Sequence, residues 1–330
     1  MNGIIKSLPQ KLCFWAVLTL VAVLAPSIGN TQDFEPLFLT EATAKERGGH
    51  IQFESEHRPL PFRHYRLKSK IPYGSLQAFV RHPDGQLSIA RLQKEEKGEM
   101  NVSFKTPLGD GPMHGIHTLY VVDQQIEGNR LLVRTAKWHT IHHSCGWGHG
   151  YKYDKDRTIT KPLADVPLEI SCLELWDGNF HSRVQSGDRL RFRVFSYGAP
   201  VAGANIRLIS GKGWIKHEVT GKDGTAEFQL VRDYYPKNWK YFDSRHRERF
   251  TVVTEYESPS QGQFSGKDYS SVRYISSIPW TYIPSRKEYT STAFGLSIGL
   301  LIIAIGALGF YIYRERRRRP YREVMFDEKD

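Results

Sequence analysis

Short runs of alternating or β-branched residues recur along the chain between clusters of Gly, Pro, Asp and Asn. That period of two predicts antiparallel β-sandwich architecture. In the first half the predicted strands are Ile51–Glu54, Leu76–Arg81, Gln86–Gln93, Asn101–Lys105, Gly115–Val122 and Leu131–Ala136. In "HPDGQ" (His82–Gln86), Asp84-Gly85 supplies the positive φ that a primed hairpin turn requires. In "GIHTLYVVDQQIEGNRLLV" a strand alternates, turns at Gly128-Asn129 and returns. In the second half the predicted strands are Leu168–Leu175, Arg189–Ser196, Asn205–Ser210, Ile215–Thr220, Thr225–Leu230 and Phe250–Tyr256. No long amphipathic helical pattern and no fixed short repeat interrupts them.

The second half carries the most specific pattern: "LEI", "SGDRLRFRV", "GAPVAGANIRL", "TGKDGTAEF" and "FTVVTEY". Gly198-Ala199-Pro200 turns the chain between strands, and Asp223-Gly224 makes a tight turn. Over about Pro167 to Tyr256 the chain resembles the carboxypeptidase-regulatory-like and Cna-B-like sandwiches. With a terminal span added, it resembles the membrane-anchored extracytoplasmic accessory components of nickel and cobalt uptake transporters. The resemblance implies a β-sandwich, a membrane anchor and a place beside a transporter subunit. It supplies no metal ligand.

The ends of the chain set its topology. Lys6 and Lys11 precede an apolar run, Leu12 to Ala25, closed by Pro26, Ser27 and Gly29. This is the pattern of a signal peptide over residues 1–30. Near the other end, "TAFGLSIGLLIIAIGALGFYIY" (Thr292–Tyr313) carries no charge and is long enough to span a bilayer as a helix. "RERRRR" (Arg314–Arg319) follows at once, and positive charge beside a span marks the cytoplasmic side. The expected protein is single-pass. Its ectodomain is extracytoplasmic (periplasmic in a Gram-negative bacterium), and its basic tail, 314–330, is cytoplasmic. Gly295 and Gly299 give the span a small-xxx-small face suited to a homodimer seam.

The expected fold class is therefore all-β: two extracytoplasmic Ig-like antiparallel β-sandwich domains plus one C-terminal transmembrane helix. The expected divisions are an N-terminal sandwich at 31–137, a His-rich connection at 138–166, a carboxypeptidase-regulatory-like sandwich at 167–290 and the helix at 291–313. The formal net charge of +11 is spread along the chain, with no basic stripe interleaved with aromatics, so nucleic acid is not an expected partner. Two cysteines follow the signal, Cys145 and Cys172. In an oxidising compartment they are expected to form a disulfide, stabilising by roughly 3–4 kcal/mol.

The candidate chemistry lies in "WHTIHHSCGWGHG" (Trp138–Gly150), which holds His139, His142, His143 and His149. Neutral imidazole suits nickel, cobalt, copper or zinc. Read as a flexible loop, the stretch could bring these histidines to one divalent transition metal, with His114 and His117 completing the shell. The competing reading is a polar connection whose histidines bond backbone groups while Trp138 and Trp147 pack it down. No Ser nucleophile elbow, Walker loop or zinc-protease helix occurs, so the chain is read as non-enzymatic. Two functions are carried forward. One is binding or delivery of a transition metal beside an uptake transporter. The other is a structural, adhesive or assembly module of an envelope complex that binds a protein or a glycan.

Overall fold

The computed structural model describes residues 35–41, 45–47, 50–52, 62–95, 99–105, 115–142, 155–173, 184–233 and 247–318. The expected signal peptide lies outside them. The first half contains β1 (Phe38–Glu41), β2 (Lys45–Arg47), β3 (His50–Gln52), β4 (Phe62–Lys68), β5 (Ser75–Arg81) and β6 (Leu87–Ile89). It continues with β7 (Arg91–Lys94), β8 (Met100–Lys105), β9 (Gly115–Glu127) and β10 (Arg130–His142). The second half contains β11 (Glu169–Cys172), β12 (Arg189–Ser196), β13 (Ala199–Pro200), β14 (Asn205–Ser210), β15 (Ile215–Val219) and β16 (Thr225–Gln229). It ends with β17 (Glu248–Phe264), β18 (Lys267–Tyr282) and one helix, α1 (Arg286–Arg317). The described residues are thus predominantly β, with one long apolar helix after the last strand.

One eight-stranded sheet runs through both halves in the order β15-β14-β17-β18-β10-β9-β5-β6. The halves join where β10 pairs with β18, from Arg130↔Ser271 to Ala136↔Ser277. This ladder is parallel, a correction to the all-antiparallel expectation. A parallel pair needs a long crossover, and here the crossover is the second half itself.

The shared sheet carries a separate core on each face. Side chains alternate across a strand, so even positions of β10 face one way and odd positions the other. On the first face, Ala136 and Trp138 of β10 pack with Leu119 and Val121 of β9 against Leu39, Tyr65, Leu67, Val102 and Phe104. Those last residues belong to a four-stranded sheet ordered β1-β4-β8-β7. On the opposite face, Ile206, Leu208, Phe250, Val252, Ile278 and Tyr282 pack against Ile170, Leu190, Phe192, Val194 and Phe228. These come from β11, β12 and β16, which form a second small sheet. The two small sheets are wings on opposite sides of one common sheet.

Turn chemistry explains the two long hairpins. β9 and β10 join through Gly128 at φ 61°, the first central residue of a two-residue turn. β17 and β18 join through Ser265 at φ 50° and Gly266 at φ 77°, the pair of positive values a type I′ turn needs. "TGKDGTAEF" behaves otherwise. β15 belongs to the shared sheet and β16 pairs with β12, so its Asp223-Gly224 turn carries the chain from one sheet to the other.

α1 begins three residues after β18. Its segment Ala293–Arg317 is long and apolar enough to cross a membrane, and none of it is buried against the rest of the chain. Gly295 and Gly299 lie on it, and a Cβ added at either would meet nothing within 4 Å.

Candidate functional site

The predicted histidine site is built differently from the loop the sequence suggested. Residues Trp138 to His142 are not a connection: they complete β10, paired in register with Gly115 to Leu119 of β9. His139 lies opposite Thr118 and is 2 % exposed. Its Nδ1 is 2.9 Å from Thr118 Oγ1, and its ring meets Trp280 edge-on at 6.4 Å. His117, opposite Thr140, is fully buried on the other face. Its Nδ1 is 2.9 Å from Nδ1 of His82, whose Nε2 is 2.6 Å from Ser88 Oγ, and its ring stacks near Phe104. His139 and His117 are therefore separated by the sheet and cannot share one ion, a correction to the expected shell. His142 ends β10 opposite Gly115. His114, His143, His149 and Cys145 lie outside the described residues. Cys172 is buried in the second wing's core. Among the described residues, no three His, Cys, Asp or Glu side chains come together as a metal site would require.

Burial, the largest effect, and the nearby Lys137 charge hold His139 well below the ordinary histidine value of 6.5. Burial also lowers His82, with Asp84 opposing. Both rings are neutral in the folded protein at pH 7. The unfolded chain takes up protons near 6.5 and the folded one does not, so stability is present above 6.5 and is lost as pH falls below it. For His139, each pH unit below 6.5 is expected to remove up to about 1.4 kcal/mol. Urea titrations between pH 7.5 and 5 check this, and His139→Gln should flatten the dependence. An unchanged slope in that variant would assign the effect elsewhere.

The residues that organise the middle of the molecule carry charge, and sequence reasoning passed over them. Arg134 and Asp123 face each other across β10 and β9 toward the first wing, both with fully buried side chains. Arg134 Nη2 donates to Asp123 Oδ2 at 2.5 Å and to the carbonyl of Pro72 at 3.0 Å, while Nη1 donates to Ser69 Oγ at 2.6 Å. Asp123 Oδ1 accepts from the backbone N–H of Gly74 at 2.7 Å. The pair thereby ties the β4–β5 connection to the shared sheet. Gly74 has no alternative there, because a Cβ would sit 2.2 Å from the carbonyl oxygen of Gln124.

The other face holds a matching arrangement. Lys137, opposite Tyr120 in register, donates to Glu169 Oε2 at 2.7 Å, the Ile170 carbonyl at 3.1 Å and Ser171 Oγ at 3.3 Å. All three partners belong to β11, so one ammonium fastens the second wing to the sheet. Tyr120 donates to Glu169 Oε2 at 3.1 Å, and the N–H of Leu163 donates to Oε1 at 2.5 Å. Burial, followed by the Glu169 charge, pushes the Tyr120 phenol well above 10, so it remains a donor. Buried ion pairs persist only when their remaining hydrogen-bonding capacity is met, and both carboxylates meet that condition here.

An apolar pocket of about 300 Å³ opens between the edge strand β1 and the first face of the shared sheet. Trp138, Thr251 and Pro279 line its sheet side, and Phe38 and Leu39 line its wing side. Lys68, which is exposed, and Arg249, which is half-buried, are the cations among its described lining residues. None of this grouping was legible in the sequence, because the lining residues run from Phe38 to Thr281.

These features define a predominantly β protein, built on one shared sheet, that ends in a helix capable of crossing a membrane. No protein-family model matches the chain, and no curated protein matches it. Among solved structures, a DUF4785-family protein from Legionella pneumophila aligns at 10 % identity with a TM-score of 0.22, covering 58 % of this chain and 47 % of that one. The tetra-tandem repeat in the extending region of a large adhesion protein aligns at 10 % identity and 0.22, covering 76 % and 49 %. A Ca²⁺-stabilised adhesin with which an Antarctic bacterium binds ice aligns at 8 % identity and 0.20, covering 68 % and 44 %. The chain thus spans about half the length of these structures or less, and likeness at such scores assigns neither a family nor a function.

Proposed function

We propose that this chain is a non-enzymatic, membrane-anchored β-module that acts structurally in an envelope complex, with its wings outside the cytoplasm and its basic tail inside. Each wing and its part of the shared sheet is read as an Ig-like sandwich. The observation that carries this reading is β18: it is central in the shared sheet, pairs with strands of both halves and leads through three residues into α1. A load that reaches either half of the shared sheet is therefore passed to the anchor through paired backbone and not through a flexible linker. The two buried ion pairs lock a wing to each face of that sheet. Metal delivery fits this geometry less well, because His139 and His117 serve opposite cores.

The module's docking edge is assigned to β15. Among the described residues it pairs with β14 alone in the shared sheet, and it exposes Ile215 and Val219 beside Trp214. An unpaired edge with apolar side chains accepts an added strand, so the expected partner is an extended segment of another envelope protein. The test is co-purification of the full chain from membranes, beside Ile215→Lys and Val219→Lys. The expected result is a partner recovered with the unaltered chain and lost with both variants, whose melting stays unchanged. An identical recovery in all three would sink the edge.

The topology has its own test. Protease added from outside should digest the wings and spare residues 314–330. A protected ectodomain would overturn it.

A further inference from the structure

We propose that the pocket beside β1 holds one acyl chain of an anionic membrane phospholipid, with the headgroup at its rim. Three observations carry this. The lining is largely apolar, with Phe38, Leu39, Trp138 and Pro279 contributing. Its volume, about 300 Å³, lies at the small end of ligand sites, which are roughly 300–1,000 Å³. That excludes two chains and takes up the greater part of one, the remainder lying in the pocket's open mouth. Among the described lining residues the charged ones are Lys68 and Arg249, with no carboxylate, and Lys68 is solvent-exposed where a headgroup would lie. An apolar slot with cations at its boundary is complementary to an amphiphile whose polar end is negative.

The bilayer is the source because of where the pocket sits on the chain. It is lined by the end of β18, Pro279 to Thr281, and by Arg249 and Thr251 of the strand paired with it. From Thr281 to the first apolar turn at Ala293 the chain reaches at most about 28 Å, taking about 3.5 Å per extended residue and about 1.5 Å per helical one. The pocket is thus tethered close to a lipid surface. This inference rests on the membrane-anchored reading above, whose protease test is independent of any lipid. Filled in this way, the pocket would fix the height and tilt of the wings above the membrane. That role suits a module whose sheet is continuous with its anchor.

The experiment is native mass spectrometry of the full chain released from nanodiscs of phosphatidylglycerol or of phosphatidylcholine, and of the full chain in detergent with oleate. The expected result is one phosphatidylglycerol retained per chain, with phosphatidylcholine retained at least tenfold less. Thr251→Phe, which places a ring in the pocket, should abolish retention. Lys68→Glu, at the exposed rim, should reduce phosphatidylglycerol retention at least tenfold without altering the melting midpoint. Lipid held only by the helix surface would be equally retained by both variants and would overturn the proposal. Equal retention of the two phospholipids would overturn it as well, and so would retention of oleate without phosphatidylglycerol.

Discussion

Replacing Arg134 by methionine is expected to destabilise the protein by about 3–5 kcal/mol, the range for removing one partner of a buried ion pair. The side chains of Arg134 and Asp123 are fully buried, so the remaining carboxylate would be charged, dehydrated and without its counter-ion. The Gly74 N–H would still donate to Oδ1, but Oδ2 would lose both guanidinium donors, and Ser69 Oγ and the Pro72 carbonyl would each lose one. Lys137→Met should act in the same direction on the opposite face. Its loss should fall at the low end of the range, because Tyr120 and the Leu163 N–H still donate to Glu169. Combining Arg134→Met with Asp123→Asn should recover part of the loss, because the stranded charge is removed. Urea unfolding of the full chain in detergent measures all three. A loss below about 1 kcal/mol for Arg134→Met would mean that water reaches the pair and that it does not fasten the wing.

Phe192→Ala is expected to cost about 3–5 kcal/mol, the usual consequence of emptying a large aromatic site in a packed core. Phe192 is 2 % exposed and meets Phe228 edge-on at 5.9 Å in the second wing's core. The more telling expectation is where the loss is felt. Both wings build on one sheet, and the β10–β18 ladder joins them, so unfolding one wing exposes backbone that the other needs. Hydrogen exchange at amides of β4 and β8, in the first wing, should therefore quicken together with that of β12 and β16. Quickening confined to the second wing would show that the wings unfold as independent domains, and the shared sheet would then not couple them.

Much of the strand content could be read from alternation. The sequence expectations for Leu76–Arg81, Asn101–Lys105, Arg189–Ser196 and Asn205–Ser210 coincide with β5, β8, β12 and β14 to within a residue. β4 was missed, and only its second half alternates in the sequence, with Tyr65 and Leu67 inward between Arg66 and Lys68; at its start Phe62 is exposed and Arg63 buried, against the pattern. β18 was the larger omission. "KDYSSVRYISSIPWTY" reads as polar because Arg273 and some of its serines gain partners only after folding: Ser277 Oγ donates to the Leu37 carbonyl, Ser271 Oγ to Glu257, and Arg273 pairs with Glu255. Proline is disfavoured inside a central strand, and Pro279 is accommodated because it follows Ser277, where pairing with β10 ends. The histidine stretch misled for a related reason. Residues 138–142 look like a polar loop, but His139 faces Thr118 and Trp280, and Trp138 faces Tyr65.

The sequence alone determined what depends on short-range pattern. The β content follows from period-two alternation and the hairpin turns from glycines that adopt positive φ. The capacity of the C-terminal helix to cross a membrane needs only length and the absence of charge, and the side on which the tail is expected needs only the adjacent arginines. The tertiary structure decided how the two halves meet, which charged residues lie inside and where an apolar pocket forms. Each of those depends on side chains far apart in sequence. Arg134 and Lys137 are three residues apart on one strand and read alike, yet they point to opposite faces of the sheet. Only the folded chain brings Asp123 and the β4–β5 connection to one, and β11 to the other. Burying such charges is unfavourable until those partners arrive, so no local pattern could announce them.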